Sequence, residues 1–132
     1  MVNTIDLIKE MKEYAEDNNV PIITDEGINY IRNYIKENKI KRILEVGAAI
    51  GYSSILMALT DEEITITTIE RDEKRYLEAV KNIKKFHLEE RITLLYKDAF
   101  DVELDEEFDL VFIDAAKAQN IKFFLFVTSN FF

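Results

Sequence analysis

The feature that most constrains this chain is a repeated change in the period of its apolar residues. Arg42-Ile43-Leu44-Glu45-Val46-Gly47 is a compact apolar run that stops at a glycine, and residues 53–59 then return to helical spacing. Residues 64–70 alternate β-branched side chains as a strand does. Asp72 can cap a helix that turns Tyr76, Val80 and Ile83 inward. A third strand is predicted at residues 92–96 and a fourth at 108–113, ending at Asp114. Strands alternating with helices over short connections form a mostly parallel sheet with right-handed crossovers. Two helices precede this core. Asn3 or Thr4 can cap the first, with Ile8, Met11 and Ala15 on one face, and Asn18-Asn19 stops it. The second, about residues 25–38, carries Ile28, Ile31 and Ile35. Val20-Pro21-Ile22 links the two in extended form.

Length and composition then exclude several classes of function. The 132 residues fit one domain, and no apolar run approaches the ~20 residues of a membrane span. A cytoplasmic location is expected. Without cysteine there is no disulfide framework, thiolate metal site or cysteine nucleophile. The net charge of −9 opposes general affinity for nucleic acid. Basic residues gather only modestly, at 36–42 and 81–85, and read as solvated helix ends. The one histidine, His87, sits beside Phe86 and Leu88 and suits packing or surface better than a catalytic triad. Tyr30 and Tyr34 share a helix face and read as packing.

In a doubly wound sheet, ligands sit beyond the carboxyl ends of the strands, and all four loops there carry suggestive residues. The first, Gly47-Ala48-Ala49-Ile50-Gly51-Tyr52-Ser53, has G-x-x-x-G spacing rather than the dinucleotide G-x-G-x-x-G. It reads equally as a tight strand–helix turn and as a place where a ligand meets backbone N–H groups. Glu70 ends the second strand, where a carboxylate can accept both hydroxyls of a ribose; alone it would be a surface acid. Asp98-Ala99 can pair with an adenine edge or form a simple Asx turn. Asp114 could hold Mg²⁺ and Lys117 could take a proton from a hydroxyl, or the two could be a helix cap and an exposed lysine.

The run from Ile43 through Ser54 resembles motif I of class I methyltransferases, in particular the cation-dependent O-methyltransferases of the catechol and caffeoyl-CoA type. Phe108-Asp109-Leu110-Val111-Phe112-Ile113-Asp114-Ala115-Ala116-Lys117 is similar to that family's fourth-strand motif. Val20-Pro21-Ile22 and the leading helices resemble its bacterial branch, which includes tRNA 5-hydroxyuridine methyltransferases. The likeness runs over about residues 4–124. It implies a Rossmann-like α/β fold: leading helices in 1–40, the core in 41–122, and an aberrant apolar tail in 123–132. It also implies S-adenosylmethionine as cofactor. Gly47 and Ser53 would contact its methionine end, supported by Glu45. Glu70 would take the ribose, and Asp98 with Ala99 the adenine. Asp114 would be a Mg²⁺ ligand that also borders the cofactor, and Lys117 the general base. The implied acceptor is a hydroxyl, with 5-hydroxyuridine in tRNA among the candidates.

The chain departs from the family after the fourth strand. The family's fifth strand ends in an Asp-Asn pair that completes the metal site, and two more strands close the sheet. Val127-Thr128-Ser129-Asn130 resembles that pair only with serine in place of aspartate. Five of the nine phenylalanines fall in residues 123–132, an aggregation hazard if exposed. The expectations are a fold truncated at its C-terminal side, a fourth strand left as a bare edge, and an incomplete Mg²⁺ site. Cofactor binding would outlast catalysis, and a homodimer would cover part of the exposed surface. The competing readings are a non-catalytic cofactor-binding or self-associating fragment, and a nicotinamide-dependent oxidoreductase. The glycine spacing counts against the latter.

Overall fold

A computed structural model describes residues 3–104, 106–114 and 123–127. Helices α1 (Thr4–Asp17) and α2 (Asp25–Glu37) lead into β1 (Arg42–Val46), α3 (Tyr52–Ala58), β2 (Thr65–Glu70), α4 (Glu73–Lys85), β3 (Ile92–Tyr96), β4 (Leu110–Asp114) and β5 (Phe123–Val127). Each long helix begins where a short polar side chain accepts an otherwise unpaired N–H. Asn3 accepts from Asp6, Thr24 from Gly27 and Asp72 from Arg75.

The five strands are ordered β3-β2-β1-β4-β5. The first four are parallel, as expected for this Rossmann-like α/β fold. The fifth corrects the sequence reading. β5 pairs antiparallel with β4, from Leu110 opposite Val127 to Asp114 opposite Phe123. The fourth strand is therefore not a bare edge, and residues 123–127 of the apolar tail are a strand. The backbone of this β-prone run pairs with the ladder that β4 would otherwise leave open.

Right-handed crossovers place α3 and α4 on one face of the sheet, and α2 packs on α3. Side chains alternate between faces along a strand. Ile43, Glu45, Leu110 and Phe112 are accordingly buried, as is all of α3. On the opposite face Leu44, Val46, Val111 and Ile113 are only half-buried. Glu106, from the β3–β4 connection, reaches Thr67 on that side.

Two further details differ from the sequence reading. Val80 is exposed, and Ala79, Asn82 and Ile83 form the inner face of α4. The small Ala79 lets the helix approach Gly51, where a Cβ atom would sit 3.5 Å from the alanine methyl. Leu88 and Ile92 cap the core below, while His87 lies exposed just past the helix end. Tyr30 is exposed rather than packed, whereas Tyr34 packs partly against the core. Arg91 ties the end of α3 to the start of β2. Its guanidinium donates to the carbonyls of Ala58 and Asp61, both at 2.6 Å, and of Ile64 at 3.1 Å.

Candidate functional site

The site is built at the carboxyl ends of β1, β2 and β3. Immediately after β1 the chain turns sharply, with Gly47 at φ +97° and Gly51 at φ +87°, values glycine adopts without steric cost. Between them Ala49 holds φ +48°. The turn is fixed to its neighbour strand because the N–H groups of Gly47 and Ala48 both donate to the Ile69 carbonyl, at 2.9 and 3.0 Å. From the other side, buried Asn82 of α4 donates to the Ile50 carbonyl at 2.9 Å. Nothing in the local pattern marked Asn82. A polar residue on the inner face of an amphipathic helix was the signal available.

Glu70 joins this loop to the next. Only 7% exposed, it accepts from the N–H of Ala49 through one oxygen at 2.7 Å and from that of Asp72 through the other at 2.9 Å. One carboxylate thus fixes both the loop after β1 and the turn into α4. Its position at the strand's last residue follows the sequence reading; its two backbone donors do not. They keep a buried carboxylate satisfied and hold its remaining lone pairs in one orientation.

Behind the loop, Glu45 is fully buried. It accepts from the Thr68 hydroxyl at 2.6 Å and from the Ser53 hydroxyl in a shorter contact. Ser53 lies in the first turn of α3, so β1, β2 and α3 converge on one carboxylate. Beside Ser53, Tyr52 is buried, and that burial pushes its phenol above the ordinary range. Lys12 of α1 is held above its ordinary value chiefly by its hydrogen bond to Asp25, 2.6 Å away, with Tyr52 contributing. Through this group the leading helices meet the start of α3.

At the end of β3, Asp98 caps a 3-10 turn, Ala99–Asp101, and accepts from the Phe100 N–H at 3.0 Å. The Asx-turn reading of this residue therefore holds, and Arg71 lies 3.8 Å from its other oxygen. Ala99 is exposed beside it. Asp114 is the last residue of β4. Lys117 lies outside the described residues, as do residues 128–132. Among the described residues no group of three or more His, Cys, Asp or Glu side chains comes together as metal ligands would. A dedicated Mg²⁺ site needs several oxygen ligands, so the described residues do not form one. Nor is any helix among them long and apolar enough to cross a membrane.

The arrangement therefore sets a glycine turn, a buried carboxylate and an Asx turn at neighbouring strand ends, beside a second buried carboxylate with two hydroxyl donors. Comparison with known proteins supplies its context. Residues 2–128 match the model of a family described as O-methyltransferase. A caffeoyl-CoA O-methyltransferase of Populus kitakamiensis is 30% identical over 115 residues, 81% of this chain and 48% of that protein. A catechol O-methyltransferase of Niastella koreensis is 36% identical over 91 residues, 64% of this chain and 41% of that protein. The crystal structure of an O-methyltransferase from Bacillus cereus in complex with SAH superposes with a TM-score of 0.75. It is 25% identical, over 87% of this chain and 56% of that one. The chain spans about half the length of the curated relatives it matches.

Proposed function

Because the chain belongs to the O-methyltransferase family, we propose that its β1–β3 loops bind S-adenosylmethionine for methyl transfer to a hydroxyl acceptor. The observation that carries this reading is Glu70, a buried carboxylate held by Ala49 and Asp72 at the end of the second strand. Two fixed N–H donors leave its outward lone pairs available to a pair of vicinal hydroxyls, which is what a ribose presents.

Each neighbouring residue has a task in this reading. The turn at Gly47 brings backbone close to the methionine end, and Ser53 contacts that end with Glu45 behind it. Asp98 and Ala99 face the adenine, with the Asx turn fixing the direction of the following N–H groups. The bound cofactor supplies an electrophilic methyl group on a sulfonium. Acceleration then depends on aligning the acceptor oxygen behind that methyl and removing its proton. Lys117 is proposed to take the proton, and Asp114 to lie beside the reacting end of the cofactor. The resemblance also gives Asp114 a Mg²⁺ role; a dedicated site takes several oxygen ligands, of which Asp114 would be one.

A phenolic or other small hydroxyl acceptor suits the chain's charge of −9 better than tRNA, whose phosphates would be repelled. 5-Hydroxyuridine in tRNA belongs in the same acceptor screen.

The reading is tested by titrating the chain with S-adenosylhomocysteine in a calorimeter. Binding near micromolar, about −8 kcal/mol, is expected, and Glu70→Ala should weaken it at least tenfold. Failure of the folded chain to bind would sink the proposal. Binding with no turnover on any hydroxyl acceptor would favour a cofactor-binding module without catalysis. Turnover unaffected by Lys117→Ala would remove that residue as the base.

A further inference from the structure

We propose that Asn82 is a positioning residue for the glycine turn and, through it, for Glu70; the inference rests on the cofactor reading above. α4 turns Ala79, Asn82 and Ile83 toward the core, and Asn82 is only 6% exposed. A leucine would fill such a place on an amphipathic helix without the cost of burying an amide. The amide has a use. Its Nδ2 donates to the Ile50 carbonyl at 2.9 Å, across 32 positions of the chain. Ile50 is itself closed to solvent, and among the described residues no other donor reaches its carbonyl.

Asn82 supplies a hold that the sheet does not. β2 holds the turn by its N–H groups: those of Gly47 and Ala48 donate to the Ile69 carbonyl, and that of Ala49 donates to Glu70. The Gly51 N–H closes the turn on the Ala48 carbonyl at 2.8 Å. That N–H and the Ile50 carbonyl belong to one planar peptide unit. The unit is therefore held at its nitrogen by the turn and at its oxygen by α4.

Removing the amide donor leaves a buried carbonyl unpaired, which costs more than the bond itself contributes. The Ile50–Gly51 peptide then gains by rotating its oxygen toward water. The strained backbone of Ala49, at φ +48°, favours such a relaxation. Rotation draws the Ala49 N–H away from Oε1 of Glu70, which keeps only the Asp72 N–H on its other oxygen. Glu70 then no longer presents fixed lone pairs to a pair of ribose hydroxyls. Asn82 thus acts on the ribose through two backbone groups of the turn.

Ligands that differ only at the ribose separate this role from general support of the fold, which would affect them alike. S-adenosylhomocysteine and its 2′,3′-dideoxy analogue are titrated into wild type and Asn82→Leu, each at a temperature where the protein is folded. Asn82→Leu should weaken S-adenosylhomocysteine about tenfold and the dideoxy analogue by less than about twofold. Equal losses for the two ligands, or none, would overturn the role of Asn82 while leaving the cofactor reading intact. Absence of S-adenosylhomocysteine binding by wild type would remove both. Should Asn82→Leu not fold, wild type alone decides. Coupling between two sites is reciprocal, so S-adenosylhomocysteine must slow hydrogen exchange of the Asn82 side-chain amide. Exchange unchanged by the ligand would sink the proposal.

Discussion

Gly51 shows how much a single residue decides at this site. Its φ of +87° lies in the left-handed region, which costs an L side chain about 1–2 kcal/mol. A Cβ there would rest 3.5 Å from both Ala79 and Ile55, ordinary contact distances, so the penalty of substitution is conformational rather than steric. Gly51→Ala should therefore lower stability by about 1–2 kcal/mol, read as a reduced urea midpoint at unchanged slope. A loss well beyond that would mean that α4 is forced away from the loop. Ala49, two residues earlier at φ +48°, already bears such a cost. Its N–H bond to Glu70 is the compensating contact that the structure offers. Backbone strain and the buried carboxylate of Glu70 are thus linked through one hydrogen bond.

At the scale of the element, the three long helices end in one way. Asn18, Asn38 and Phe86 are their C-caps, and each is followed by a left-handed residue: Asn19 at φ +53°, Lys39 at +52° and His87 at +58°. The next residue donates back into the last turn, Val20 to Ala15, Ile40 to Ile35 and Leu88 to Ile83. This is the Schellman arrangement, with its accompanying apolar contact, built without glycine. Lys39→Gly and His87→Gly should each relieve the left-handed penalty while adding freedom to the unfolded chain. The first effect is about 1–2 kcal/mol and the second about 0.4–1. Each substitution should raise the melting temperature, by a few degrees per kcal/mol. A fall in either variant would show that the side chain makes a contact worth more than the strain. The exposure of His87 makes that outcome least expected there.

Over the whole molecule, 26 acidic residues face 17 basic ones, and the connections use some of that excess. Lys41, at the entry to β1, lies 3.0 Å from both Asp61 and Glu63 in the α3–β2 turn. Asp61 is held below its ordinary value, first by the Glu63 N–H and then by Lys41. A carboxyl depressed in the folded state stabilises the fold above its unfolded value of 3.8 and loses that contribution as pH falls through the lower folded value. Lys41, raised first by Asp61 and then by Glu63, stabilises below 10.5 and loses its contribution as pH rises through its higher folded value. Both groups are open to solvent, so the effects are small and screened by salt. Asp61→Asn should flatten the acid limb of the melting-temperature profile below about pH 4 at low salt, with little change at high salt. An unchanged acid limb would show that the ion pair contributes nothing.

The sequence alone carried the order of elements as far as β4, with Glu45, Gly47, Glu70 and Asp98 at or just past strand ends and Ser53 in the helix that follows β1. Those features are local: periodicity reports which face is apolar, and a glycine or cap reports where a strand or helix stops. Family membership was legible for the same reason, in two contiguous motifs around Gly47 and Asp114. Tertiary structure decided what those residues touch. Thr68 meets Glu45, 23 positions away, only through strand register, and Asn82 meets the Ile50 carbonyl across 32 positions. The shift of the buried face of α4 from Val80 to Ala79 depends on how closely that helix approaches Gly51. The antiparallel β5 likewise depends on an open ladder at β4. Hydrogen bonds and packing between segments distant in sequence have no periodic signature, so register and close approach had to come from the folded chain.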